Sequence, residues 1–249
     1  MNILVVNDDG IQSPGLRALV DALSERADVF VCAPDGQRSA KSHSITLGEN
    51  VYIQPVVYPG AKGALQTSGT PADCTKIGLQ FFEEEGNSID MVYSGMNLGS
   101  NLGWDTLYSG TVGAAAEAAM SGIPAVAVSV ASHNASHFEA AGELAAAMID
   151  KVYGKMDPFI VMNINTPDLP KEQIKGVKVV PLGCRYYDDK FHLVEENGYT
   201  LSGSPADYSE AGEVDVTAVH DDYATITPLQ FDFTDRKNLD LVKDWDLNT

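Results

Sequence analysis

Two aspartates stand side by side at positions 8 and 9, directly after the apolar run Ile3, Leu4, Val5 and Val6. Like charges at the end of a buried strand repel each other in a partly desolvated place, and a bound cation is the most effective compensation. The alternative is an Asx-turn in which Asp8 or Asp9 merely leads into the next helix, a common use of Asp-Gly after a strand. A second candidate is "SGMNLGSNLGWDTLYSG", whose Gly95, Gly99, Gly103 and Gly110 let the backbone approach a ligand closely. It runs into Ser109, Gly110 and Thr111 just before "VGAAAEAAM", where free N–H groups of a helix N-terminus would form an anion site. A plain N-cap accounts for one hydroxyl but not for a loop of roughly 15 residues loaded with Gly and Asn. A third polar cluster is "PDGQRSAKSHS". Two carboxylates, a serine hydroxyl and an asparagine carbonyl suit Mg²⁺ or Mn²⁺ rather than zinc. A metal beside a phosphate cradle points to phosphoryl chemistry.

The elements that must position these groups alternate. "NILVV" reads as a strand buried on both faces, and Ser13-Pro14 as N-cap and first helical residue of "PGLRALVDALSER". "DVFVCAP" is a second strand, and "VYIQPVVY" an edge strand because of Pro55. A helix starts at Thr70-Pro71; "IDMVYSG", "IPAVAVSV" and "FIVMNIN" are strands, separated by the helices "TVGAAAEAAMSG" and "FEAAGELAAAMIDKVY". This predicts an α/β fold, a Rossmann-like, mostly parallel sheet flanked by helices. Residues 1–180 are expected to form that catalytic domain. Residues 181–249 are expected to form a β-hairpin-rich extension with a C-terminal helix, serving oligomerisation. "VKVVPL", "RYYDDKFHLV", "DVTAVH" and "YATITPLQF" all read as strand-like, and "TDRKNLDLVKDW" as an amphipathic helix. The three polar clusters fall at carboxyl ends of strands, where open α/β sheets bind ligands.

Composition excludes several classes. With 16 Lys+Arg against 35 Asp+Glu and a formal net charge of −19, binding to nucleic-acid polymers or anionic membranes is not expected. No apolar run reaches membrane-spanning length. Cys32, Cys74 and Cys184 lie far apart without a CxxC, and the N-terminus lacks a basic region, so a cytoplasmic protein is expected. His133 and His137 are four apart but lack the Glu of an HExxH motif, and His43 reads as a loop histidine. Trp104, Tyr108 and Tyr187 read first as core or interface residues. "VNDDGIQSPG" is not a dinucleotide fingerprint.

In order and spacing, "VNDDGIQSPGLRAL", "VCAPDGQRSAKSHSIT", "TSGTPADC" and "SGMNLGSNLGWDTLYSGTVGAAAEA" resemble the signatures of the SurE family, as do "VMNINTPDLP" and "YATITPLQFDFTD". The resemblance implies a metal-dependent nucleoside monophosphate phosphatase acting on 5′- and 3′-nucleotides, with polyphosphate as a substrate of some members. It implies one divalent metal ion per subunit, Mg²⁺ or Mn²⁺, held by Asp8, Asp9, Ser39 and Asn97. It places Asn101, Ser109, Gly110 and Thr111 at the phosphate, and a homodimer or homotetramer built through the C-terminal extension. Two positions depart from the pattern: Ala40 stands where glycine is common, and Val214 where a threonine is usual.

The chemistry expected is in-line attack of water on a phosphomonoester, with Asp8 or Asp9 as catalytic groups orienting that water or acting as general base. A covalent aspartyl-phosphate is less favoured, because a carboxylate committed to a metal is a weakened nucleophile. Two other classes remain. One is a haloacid-dehalogenase-like phosphatase, which the adjacent Asp-Asp argues against; the other is a nucleotide sensor without turnover.

Overall fold

The structure is a computed structural model and describes residues 1–207 and 212–245. In chain order the strands and helices are β1 (Asn2–Val6), α1 (Pro14–Ser24), β2 (Asp28–Pro34), β3 (Ile53–Pro55), β4 (Gly63–Thr67), α2 (Pro71–Glu84), β5 (Met91–Leu98), α3 (Gly110–Met120), β6 (Ala125–Val130), α4 (Glu139–Val152) and β7 (Ile160–Thr166). There follow β8 (Val177–Val179), β9 (Arg185–Tyr187), β10 (Lys190–Glu195), β11 (Gly198–Ser202), β12 (Pro205–Asp207), α5 (Asp215–His220), β13 (Ala224–Gln230) and α6 (Arg236–Lys243).

Among the described residues, nine strands form one sheet in the order β3-β4-β2-β1-β5-β6-β7-β13-β8. From β4 to β7 all neighbours are parallel. At the edges β3 runs antiparallel to β4, and β13 antiparallel to β7. The expected α/β architecture is thus present. Chain order reverses between β1 and β5, because β2 leaves to one side of β1 and β5 returns on the other. That is the topological switch point, where the crevice between strand ends admits a ligand.

Helices cover both faces. Leu16, Leu19, Val20 and Leu23 of α1 share a core with Ala141, Ala145, Met148 and Ile149 of α4. On the other face Cys74 and Phe82 of α2 pack with Val112, Ala114, Ala115 and Ala118 of α3. The small alanine face of α3 lets it lie close to β5 and β6, which brings its first turn to the switch point. Proline at the first position and a capping box set the start of α2: Asp73 N donates to Thr70 Oγ1 (3.1 Å), and Thr70 N donates to Asp73 Oδ2 (2.9 Å). Ser13 holds the N-cap position of α1, yet its hydroxyl makes no cap bond. Among the described residues no helix is long and apolar enough to cross a membrane.

The secondary structure differs from expectation in three ways. "DVTAVH" is the helix α5, not a strand. Val216 and Val219 recur at helical spacing and pack with Leu102 and Val214, and that burial outweighs the β-propensity of the valines. β13, expected in the extension, belongs to the main sheet. β4, "GALQT", is a sheet strand although it carries no β-branched residue before Thr67. The excursion itself consists of the hairpin β10–β11 and the short pair β9–β12. Phe191, Leu193, Tyr199 and Leu201 of that hairpin are exposed, as are Leu241 and Trp245 at α6.

Candidate active site

Asp8 and Asp9 do not close the turn expected of one of them. Asn7 does: Gly10 N donates to Asn7 Oδ1 at 3.2 Å, and Asn7 Nδ2 donates to Gly10 O at 2.9 Å. With the Asx-turn made by Asn7, both aspartates are available for another purpose.

Asp8 is buried and faces the first turn of α3, where Thr111 Oγ1 donates to its Oδ1 at 2.6 Å. A Cβ on Gly110 would lie 3.0 Å from Cβ and Oδ2 of Asp8 and 3.0 Å from Cγ of Pro71, so the approach of helix to carboxylate requires glycine there. Burial pushes the Asp8 carboxyl up to about 6; the Thr111 hydroxyl works against this shift, and neighbouring Asp9 adds to it. Asp9 is also raised, chiefly by burial, against a hydrogen bond from Leu98 N (2.9 Å to Oδ2) and the nearby His133. Neither carboxylate has a lysine or arginine among the groups that shift it.

Two further loops close on this pair. Arg38 N donates to Asp8 O at 2.7 Å, fixing the loop in which Ser39 follows, with Ser39 itself exposed. The same loop is tied to α3 and its approach: Ser42 Oγ donates to Leu107 O (2.6 Å), and His43 Nε2 lies 2.8 Å from Glu117 Oε2. Asn97, near the end of β5, donates Nδ2 to Gly99 O at 2.7 Å, which leaves its carbonyl oxygen as the available end. The fold therefore brings Asp8 against Gly110 and Thr111 and Asp9 against the Leu98 N–H, with Asn97 and Ser39 each one residue from a main-chain bond to the pair.

The other candidate residues have partners of their own. Ser109 Oγ accepts from Val112 N at 3.0 Å, an N-cap bond. Thr111 serves Asp8. Asn101 is buried in hydrogen bonds with Ser129, Asn163 and Asn165. His137 pairs with Asp168 (Nδ1 to Oδ1, 3.0 Å), while His133 Nδ1 lies 3.1 Å from Leu98 O, so the two imidazoles have separate partners. Trp104 and Tyr108 are exposed, not core, and Trp104 meets Tyr186 edge-on with centroids 4.8 Å apart. Sequence reasoning missed Asn7, the two β7 asparagines and Asp215, which accepts from Gly103 N (2.8 Å) and Gly183 N (2.7 Å) and so ties the glycine-rich loop to the extension.

The donor set fits a hard cation. Mg²⁺ keeps several waters and needs one or two carboxylates, with neutral oxygens and substrate phosphate completing its shell. Among the described residues no three His, Cys, Asp or Glu side chains gather as a cluster.

The sequence profile of the family described as Survival protein SurE matches residues 3–189. The chain belongs to the SurE family. A SurE relative from Pelotomaculum thermopropionicum, named 5′-nucleotidase SurE, is 41% identical over 249 residues, covering 98% of this chain and 94% of that protein. One from Clostridium beijerinckii with the same name is 40% identical over 246 residues, covering 94% and 95%. The crystal structure of the SurE protein from Aquifex aeolicus matches with a TM-score of 0.80 at 34% identity, over 98% of this chain and 100% of that one.

Both departures from the SurE pattern have structural counterparts. Val214 is buried with Leu102, Val216 and Val219, and fills apolar space beside Gly183. Ala40 has φ 54°, in the left-handed region that favours glycine. Left-handed backbone costs an L-residue roughly 1–2 kcal/mol, and the greater freedom of unfolded glycine returns part of this. Ala40→Gly is therefore expected to stabilise the fold by about 0.5–1 kcal/mol. Urea unfolding reads this directly; a midpoint that falls or stays put would show that Ala40 carries no strain.

Proposed function

We propose that this chain is a divalent-metal-dependent phosphomonoesterase that hydrolyses nucleoside 5′-monophosphates, and their 3′ isomers, to nucleoside and inorganic phosphate. The observation that carries the reading is the Asp8–Asp9 pair. Two adjacent carboxylates, both raised by burial, lie at the switch point of a parallel sheet, with Asp8 meeting the first turn of α3. The name of the relatives, 5′-nucleotidase SurE, supports the substrate class.

In this reading Asp8, Asp9, Ser39 and Asn97 hold Mg²⁺ or Mn²⁺, one per subunit. When bound, the cation supplies positive charge against the phosphoryl oxygens and acidifies a nearby water. Thr111 fixes Asp8 in one orientation, and the Leu98 N–H does the same for one oxygen of Asp9. The other Asp9 oxygen orients the attacking water or takes its proton. Gly110 and Ser109 offer the α3 N-terminus to the phosphate, and Asn101 holds the loop beside it. Because both aspartates are committed to ligation and hydrogen bonding, direct attack by water is favoured over a phospho-aspartate. The excess negative charge of the chain argues against nucleic-acid polymers as substrates. A cytoplasmic homodimer or homotetramer joined through the exposed apolar faces of the β10–β11 hairpin and α6 completes the proposal.

The test is phosphate release from a panel of nucleoside 5′- and 3′-monophosphates and polyphosphate with Mg²⁺, Mn²⁺ or EDTA, comparing the wild type with Asp9→Asn. Release that needs metal and collapses in the variant is expected. A folded wild type that binds nucleotides and releases no phosphate with any metal would sink the enzyme in favour of a sensor.

A further inference from the structure

We infer that Asn163 and Asn165 of β7 are positioning residues that clamp the main chain of Asn101 and thereby hold the loop from Leu98 to Ser109 in its phosphate-binding shape. The inference rests on the phosphatase reading only for what the loop binds. β7 is otherwise apolar in its centre, with Val161, Met162 and Ile164 buried. Asn163 and Asn165, two apart, project from the same face, the one covered by α3. Both are fully buried, as is Ser129, the register neighbour of Asn165 on β6.

Burying amides in a strand is costly unless each is hydrogen-bonded. Here the bonds converge on one loop residue. Asn101 N donates to Asn165 Oδ1 at 2.8 Å. Asn101 O accepts from Asn163 Nδ2 at 2.9 Å and from Asn165 Nδ2 at 3.1 Å. The side chain of Asn101 adds a bond of its own, from Nδ2 to Ser129 Oγ at 2.8 Å. Asn165 thus meets both main-chain groups of Asn101, as a neighbouring strand would. Among the described residues Asn163 Oδ1 has no hydrogen-bond partner, a cost that the bond from its Nδ2 to Asn101 O offsets only in part. A network this committed fixes one backbone position in a loop whose neighbours bear function: Asn97 lies upstream, and Ser109 and Gly110 downstream. Small misplacements of groups that orient a reacting centre cost far more in rate and affinity than in stability.

Asn165→Leu removes two of the bonds and strands Asn101 N; Asn163→Ala removes one bond and serves if the first variant does not fold. Three quantities separate positioning from general destabilisation: amide hydrogen exchange of residues 99–108 against that of β6, the Mn²⁺ dissociation constant from electron paramagnetic resonance, and inorganic phosphate binding with Mn²⁺ present. The expected result is faster exchange in 99–108 with β6 unchanged, phosphate affinity and KM weakened about tenfold, and Mn²⁺ affinity unchanged. Unchanged loop exchange would overturn the clamp. Faster exchange with phosphate binding intact, or loss of Mn²⁺ and phosphate affinity together with β6 protection, would overturn the positioning role, as would a wild type that binds no phosphate. A wild type that binds phosphate but hydrolyses no nucleotide defeats the nucleotidase reading, while exchange and phosphate binding still decide the clamp.

Discussion

Asp8→Asn is expected to abolish turnover and, in the same protein without metal, to raise stability. The carboxylate is buried beside Asp9, and burial holds its folded pKa at about 6 against an ordinary 3.8. A folded pKa above the unfolded one means that its contribution to stability is full below 3.8 and is lost as pH rises through 6. At pH 7 the charged group therefore burdens the metal-free fold by about 3 kcal/mol, at 1.36 kcal/mol per pKa unit. Asparagine is isosteric, can still accept the Thr111 hydroxyl and carries no charge to bury. In EDTA the variant should outlast the wild type by that order at pH 7, with the gap closing toward pH 4. With Mn²⁺ the wild type should gain RT ln(1 + [L]/Kd), about 2.7 kcal/mol at a hundredfold excess over Kd, and the variant much less. Loss of charge stabilisation at the reacting phosphoryl group should lower kcat/KM by about 10³-fold or more. Guanidinium unfolding with and without metal checks the stability half; equal stability in EDTA at pH 7, or a gap indifferent to pH, would contradict it.

Gly15→Ala should cause a large loss of stability for the addition of a single methyl group. A Cβ on Gly15 would sit 2.1 Å from Met96 O, well inside contact distance and against backbone that no rotamer change can clear. α1 would have to lift from β5 just where Leu16 and Leu19 enter the core. Overpacking of this severity costs about 3 kcal/mol or more. Met96 precedes Asn97, so if the proposed metal site is correct, cation affinity should fall as well. Gly36→Ala is the matched control: a Cβ there meets nothing within 4 Å and should shift stability by less than about 0.5 kcal/mol. A Gly15→Ala protein with a near-native unfolding midpoint would mean that α1 is less tightly seated than its contacts imply.

These effects trace back unevenly to the sequence. The parallel core was legible because β1, β2, β5, β6 and β7 each carry a short run of consecutive apolar residues, and because Thr70-Pro71 and Gly122 mark helix ends. The pairing of Asp8 with Asp9 was legible because adjacent charges at a strand end are unusual. α5 was not, since "DVTAVH" carries β-branched residues whose helical form is decided by contacts with Leu102 and Val214, distant in sequence. β4 was missed because "GALQT" shows neither alternation nor β-branching. Asn163 and Asn165 interrupt an apolar strand in plain view, yet their partner lies 62 and 64 positions upstream. Thr111 could be read as a helix-start hydroxyl, but not as one committed to Asp8, because periodicity does not reveal what faces a helix end across a sheet.

The place of β13 bears on how the chain is made. Its hydrogen-bonding partner β7 ends at Thr166, and β13 begins only at Ala224. A ribosome adding 5–20 residues per second takes roughly 3–11 s to cross that interval. Throughout it the β7 edge of a growing parallel sheet is unpaired, a template for any other nascent strand. Meanwhile the hairpin that emerges in between carries exposed apolar side chains of its own. Synthesis thus creates two adhesive surfaces before the strand that closes the first of them exists. Translation rate and chaperone supply, more than the stability of the finished sheet, should govern how much of this protein reaches its native state.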